Sequence, residues 1–216
     1  MLKALFYPVG TTENPISFES LYIPWIFKEI YFEKVYRSLI GNKDLTIIDF
    51  GGNIGLVTMY MRQFAKIVYT MEPSSEHYEA LEMNKKANGW DNVELFKMAL
   101  SDKNGKTKLG KQPENLTMNS ITSGYSEGEM VKTVTIDKFF KDNKIKHVDF
   151  IKLDIEGAEE QVLMGKGFKK VSPMIDAIEV EFHTPNWTNI TGYMVNVLGY
   201  NASKFNTDAT ILLFSR

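Results

Sequence analysis

The chain has 216 residues, of which 44% are hydrophobic and 24% charged, with a formal net charge of −2 and no cysteine. That length suits one domain with a sizeable core, and that composition a soluble globular protein. The charge gives no bulk attraction to nucleic acid, and the missing cysteine excludes a disulfide framework, a thiolate metal site and a cysteine nucleophile.

Residues 18 to 40 carry Phe18, Tyr22, Trp25, Ile26, Ile30, Val35 and Leu39 at helical spacing, with Pro24 starting or kinking the helix. Residues 1 to 44 are therefore expected to form an N-terminal helical extension. Beyond them, apolar runs predict strands near 46–50, 67–72, 93–99, 148–153 and 175–182, and helices near 55–65, 75–88 and 157–165. Ser74 or Ser75 caps the second helix and Asn88-Gly89 ends it. Residues 101–133, rich in Gly, Lys, Asn and Ser, interrupt the alternation as an insertion of short strands and loops, read either as a lid or as a mobile segment. Residues 187–198 read as a helix closed by Gly199, and Tyr200–Phe205 with Thr210–Ser215 as a terminal antiparallel hairpin. Strand alternating with helix implies a doubly wound, mostly parallel sheet.

The first strand ends in Asp49-Phe50-Gly51-Gly52-Asn53-Ile54-Gly55, and the second in Glu72. Glycines let the backbone pass close to a ligand, and a strand-end acid is placed to take both hydroxyls of a ribose. The pattern points to a nucleoside cofactor. The third glycine of the dinucleotide fingerprint is missing, as is the phosphate-cradling loop ending in Gly-Lys-Ser/Thr, so NAD and FAD are disfavoured. Asp-x-Gly-x-x-x-Gly followed by a strand-end Glu resembles instead the S-adenosylmethionine (SAM) site of class I methyltransferases.

The resemblance narrows downstream. Asp149-Phe150-Ile151-Lys152-Leu153-Asp154-Ile155-Glu156-Gly157-Ala158-Glu159 resembles the fourth-strand signature of the FkbM-type methyltransferases. Ala99-Leu100-Ser101-Asp102 resembles that family's segment at the third strand end, and Val134-Thr135-Ile136-Asp137 its lead-in to the fourth strand. Gly52 stands where the family usually has alanine. The similarity runs from about Thr46 to His183. It implies a Rossmann-like class I fold with seven strands, in one domain whose SAM-binding core spans 45–216.

Within that reading Asp49 either holds the glycine turn or reaches the methionine amino group through water. Gly51, Gly52 and Gly55 allow close backbone approach, and Asn53 meets the methionine carboxylate or fixes the turn. Glu72 takes the ribose, or merely offsets the next helix dipole. Pro73 and Ser74 lie beside the ribose or adenine. Ser101 and Asp102 sit where class I enzymes hold adenine, although Asp102 reads equally as a turn acid. Asp154 faces the sulfonium end, Glu156 is a candidate functional acid, and Glu159 is expected to offset a helix dipole. Lys152, in a buried strand, needs a carboxylate or carbonyl partner. Glu179, Glu181 and His183 alternate on one face of the fifth strand. His183 is a candidate general base. His77 is expected on the surface of a helix, and His147 in the turn before the fourth strand.

The function expected is SAM-dependent O-methylation of a sugar, glycan or small metabolite, with Asp154, Glu181 or His183 taking the hydroxyl proton. No resident metal is expected, although Asp154, Glu156, Glu181 and His183 are oxygen-rich enough to suit a hard ion. The alternatives are an RNA or protein methyltransferase and a non-catalytic SAM-binding module. The Asn/Asp-Pro-Pro-Tyr/Phe motif of exocyclic-amine methylators is absent where Asp154-Ile155-Glu156-Gly157 stands. No apolar run is long enough to span a membrane, and Met1–Pro8 is too short for a signal peptide, so the expected location is cytoplasmic. Four glycosylation sequons are read as chance. The aromatic stripe with Tyr22, Trp25 and Tyr31 is read as core, as a sugar-stacking wall or as a homodimer contact.

Overall fold

A computed structural model describes residues 5–6, 16–17, 36–111, 119–122, 126–204 and 211–216. The expected aromatic helix falls mostly outside the described residues, as does the turn of the terminal hairpin. Two short strands, β1 (Leu5–Phe6) and β2 (Ile16–Ser17), pair antiparallel, and a 3-10 turn at Arg37–Leu39 follows buried Tyr36 and ends in buried Leu39. The principal sheet contains seven strands, numbered in chain order below, arranged β11-β12-β10-β9-β3-β4-β5. The chain divides into two compact units, Met1–Lys97 and Met98–Arg216.

In the first unit, β3 (Leu45–Phe50) buries Ile47, Ile48 and Phe50 completely, as a strand covered on both faces must. It runs parallel to β4 (Ala65–Met71), with Asp49 opposite Thr70, and β4 runs parallel to β5 (Val93–Phe96). Helix α1 (Leu56–Met61) leaves the glycine turn through Gly55, at φ +94°. Helix α2 (Ser75–Ala87) begins at Ser74, whose hydroxyl accepts the His77 N–H at 3.5 Å, and ends at Asn88 before Gly89 at φ +60°. Glu76 in its first turn and Lys85 and Lys86 in its last complement the helix dipole.

The expected strand 93–99 is two elements. β5 stops at Phe96, and β6 (Ala99–Leu100) joins a separate sheet in the second unit, ordered β6-β8-β7 with β7 (Gly105–Gly110) and β8 (Gly128–Val134). Ala99, Leu109 and Val131 share a small core there, which draws Ala99 into that sheet. The insertion thus contains short strands as expected, but Val134-Thr135 leads into helix α3 (Ile136–Asp142) before the next strand.

Parallel strands β9 (Val148–Leu153) and β10 (Ile175–Glu181) follow, joined by α4 (Glu159–Leu163) and α5 (Lys166–Val171). The first lies inside the helix expected over 157–165, and the second is an element the periodicity did not announce. Glu156 and Gly157 take left-handed φ values of +53° and +98°, which delays the helix start, and Gly165 in extended geometry breaks it. Asp137 ties α3 to α5 by accepting from Lys170 at 2.8 Å. Helix α6 (Trp187–Asn196) and Gly199 precede β11 (Asn201–Lys204), antiparallel to β12 (Ile211–Ser215), which runs antiparallel to β10. Among the described residues, no helix is long and apolar enough to cross a membrane.

Candidate active site

The first unit carries the glycine turn. Gly51 at φ +90° and Gly52 both donate their N–H to the Met71 carbonyl at 3.0 Å, which lashes the turn to the end of β4. A Cβ on Gly52 would stand 2.3 Å from the Thr70 Cγ2, and one on Gly55 would stand 2.6 Å from the Leu81 Cδ1. Packing against the protein's own side chains therefore accounts for these two glycines. Asp49 is fully buried and its Oδ2 accepts from the Thr58 hydroxyl at 2.6 Å, consistent with an anchoring role. Asn53, at φ +48°, fixes the turn: its Oδ1 accepts from the Ile54 N–H at 2.7 Å.

Glu72 is the convergence point of this unit. Its Oε2 accepts the Asn53 N–H at 2.8 Å and its Oε1 the Ser74 N–H at 2.9 Å, so the carboxylate is held at both ends by backbone. Each oxygen keeps a further lone pair, so the carboxylate can also accept from a pair of hydroxyls. Pro73 beside it is half-buried. His77, expected at the surface, is only 3% exposed, with Nδ1 3.7 Å from Glu72 Oε1. It is the third residue after the Ser74 cap, where a side chain folds back over the helix start. That offset was the signal available in the sequence.

In the second unit Ser101 is anchored by its N–H on the Val134 carbonyl, and its hydroxyl donates to Asp102 Oδ1 at 3.3 Å. Asp102 is exposed, with the Lys103 amine 3.9 Å away. Both line a cavity of about 660 Å³ whose walls include Thr135, Gly157, Gln161 and Lys166.

The same unit gathers an acid–histidine cluster. Asp154 follows β9, with Glu156 and Glu159 beyond it, and Glu181 and His183 stand at the end of β10. The His183 Nδ1 lies 3.3 Å from Glu159 Oε1 and 4.0 Å from Asp154 Oδ1. Its Nε2 lies 3.6 Å from Glu156 Oε2 and 3.7 Å from Glu181 Oε1. Lys152 finds the partner its burial demanded, Asp154 Oδ2 at 3.2 Å, while Glu179 lies opposite Lys152 in the strand register. Glu159 stands in the first turn of α4, where it is expected to offset the helix dipole. It is fully buried, and its Oε1 also accepts the Gly157 N–H at 3.0 Å. His147 lies just before β9 as expected, 3.1 Å from Asp176.

Electrostatics sorts these groups. Burial pushes the Glu156 carboxyl up; the His183 charge opposes this and Asp154, Glu181 and Glu159 add to it, leaving it at about 7. Burial, with Asp154, also raises the Glu181 carboxyl against the pull of His183 and Lys152. For His183 burial favours the neutral ring, but the hydrogen bond to Glu159 and the charges of Glu156 and Asp154 outweigh it and hold the imidazole at about 9. At neutral pH His183 already carries its second proton, so a carboxylate is better suited than His183 to accept another. Asp154, Glu156 and His183 offer ligand-type atoms within 4.8 Å of one another, and a cation bound through the imidazole would have to displace a His183 proton.

A doubly wound, mostly parallel sheet closed by an antiparallel hairpin is the class I methyltransferase architecture, and solved structures of that class share it. A Streptococcus mutans protein assigned as a methyltransferase, in complex with SAH, aligns with a TM-score of 0.53 at 10% identity, over 84% of this chain and 96% of that one. A precorrin-6y C5,15-methyltransferase of Geobacter metallireducens gives 0.50 at 12%, over 85% and 87%. The chain belongs to the FkbM family of SAM-dependent methyltransferases: the Methyltransferase FkbM domain matches residues 49–205. Among curated relatives, Methyltransferase 1 of Beauveria bassiana is 25% identical over 70% of each chain. The hexuronic acid methyltransferase AglP of Haloferax volcanii is 26% identical over 74% of this chain and 66% of its own. The chain thus spans about two thirds of the length of these relatives.

Proposed function

We propose that this chain transfers a methyl group from S-adenosylmethionine to a hydroxyl of a sugar or glycan. The observation that carries the cofactor assignment is Glu72, a 5% exposed carboxylate fixed by the N–H groups of Asn53 and Ser74. That anchoring suits it to receive two ribose hydroxyls without reorganising. The glycine turn of Asp49, Gly51, Gly52, Asn53 and Gly55 would hold the amino-acid end, and Pro73 would border the ribose. Ser101 and Asp102 would accept from and orient the adenine. Asp154 would meet the cofactor's reactive end. The family match crosses the boundary at residues 97 and 98, so we read the two units as one methyltransferase domain. We further propose a cytoplasmic homodimer, from the cysteine-free composition and the aromatic N-terminal stripe; cell fractionation and light scattering test it.

When bound, the cofactor supplies an electrophilic methyl on a sulfonium. The chain's task is then to align the acceptor oxygen and remove its proton as the O–CH₃ bond forms and the S–CH₃ bond breaks. Among the clustered acids, Glu156 suits that task best, since a base poised near the operating pH is the most effective. The His183 cation faces it and stabilises its ionised form, and Glu181 and Asp154 shape the field around the acceptor. The AglP relative, named for a hexuronic acid, favours a sugar as the acceptor.

Calorimetry with S-adenosylhomocysteine tests the cofactor assignment. Glu72→Ala should weaken affinity by about 1–3 kcal/mol, the scale of lost charged hydrogen bonds. Unchanged affinity removes Glu72 from the site. Conversion of SAM with a panel of glycosides tests the reaction; tight binding without turnover would mark a binding module.

A further inference from the structure

We propose that Glu159 is the positioning residue of His183: its buried carboxylate holds the Nδ1–H edge of the imidazole, so that the Nε2–H edge is presented to Glu156 and Glu181. The inference concerns the chemistry of the site proposed above and rests on that reading for its catalytic meaning, but the geometry and its test stand on the protein alone.

A carboxylate with no exposed surface persists only with hydrogen bonds and an opposite charge at hand. Glu159 has one backbone donor, the Gly157 N–H, and the His183 ring nitrogen on the same oxygen, while its Oε2 has no hydrogen-bond partner among the described residues. The left-handed turn at Glu156 and Gly157 makes the first contact possible, because it folds the chain back over the start of α4. The second contact fixes the ring. With Nδ1 committed to Glu159 at 3.3 Å, the opposite nitrogen is left 3.6 Å from Glu156 and 3.7 Å from Glu181. The groups facing His183 are Asp154 and Glu156 from the segment after β9, Glu159 from α4, and Glu181 from β10, with Lys152 behind Asp154. Of the four acids Glu159 alone is fully buried, so solvent screens it least.

The chain has three histidines, His77, His147 and His183, so nitrogen-edited NMR of the imidazoles resolves each. In the unaltered protein, raising the pH until His183 becomes neutral should leave the proton on Nδ1. A neutral ring protonated on Nε2 overturns the proposal without any variant being made. Glu159→Gln should lower the His183 midpoint by about one pH unit or more, the effect of removing an opposite charge at this distance. Glu159→Asp should restore part of that shift. A midpoint unchanged in Glu159→Gln also overturns the proposal. In turnover, Glu159→Gln should lower kcat while leaving S-adenosylhomocysteine affinity within a factor of two or so. Loss of cofactor binding in the unaltered protein would defeat the proposed function but leave the NMR result to decide the role of Glu159.

Discussion

Glu156 and His183 hold opposite halves of one protonation state. Glu156 works as a base only when ionised, so activity should rise with pH as it passes about 7. His183 supports it only while protonated, so activity should fall as pH passes about 9. The expected profile of kcat is a bell with limbs near those values, and as the two groups interact the limbs belong to the pair. Glu156→Gln should lower kcat by about 10²–10⁴-fold, the usual worth of a positioned base. His183→Gln should erase the alkaline limb. A flat profile between pH 6 and 10 would assign proton removal to neither group. Glu72, Asp154, Glu181 and His183 were legible in the sequence because strand ends in an α/β sheet are marked by the apolar runs before them. The burial of His77 and Glu159 was not. One follows from where the Ser74 cap starts its helix, the other from a left-handed turn that residue types alone do not announce.

The element that ties the first unit together is the pairing of the glycine turn with β4. Gly52 faces Thr70, a fully buried β-branched residue, at a distance no real Cβ tolerates. Gly52→Ala should therefore destabilise the fold by about 1–3 kcal/mol through overpacking. Thr70→Ser, which removes the colliding methyl and keeps the hydroxyl near Thr58, should recover most of that loss. Denaturant midpoints of the single and double variants test the pair, and an unaltered midpoint in Gly52→Ala would show that the strand yields freely. The same scale explains what sequence periodicity overread. Val93–Leu100 is apolar except at Glu94 and Lys97, and nothing local says that Ala99 leaves one sheet for the core of Leu109 and Val131. Equally, nothing local says that after the expected helix the chain breaks at Gly165, in extended geometry, and starts a second one at Lys166.

Over the whole molecule the formal charge is only −2, yet the cluster in the second unit sets four carboxylates against Lys152 and His183. A site of that sign repels an anionic acceptor and tolerates a neutral one. The relative AglP is named for a hexuronic acid, but this field sets the present chain apart: we expect a neutral glycoside to be methylated with a kcat/KM about tenfold or more above that of the matching uronate, a difference of about 1.4 kcal/mol. Competition between the two acceptors in one reaction, followed by mass spectrometry, checks the order. A preference for the uronate would mean that the acceptor carboxylate is met by cations elsewhere.

The turn at Glu156 has a practical corollary. A residue with a side chain is kept at φ +53° there, and its half-buried carboxyl is held among other acids. Glu156→Gly relieves both penalties at once, so melting should occur at higher temperature while turnover slows as in Glu156→Gln. Such a sturdy, slow enzyme would let donor and acceptor be soaked together into one crystal and photographed before they react.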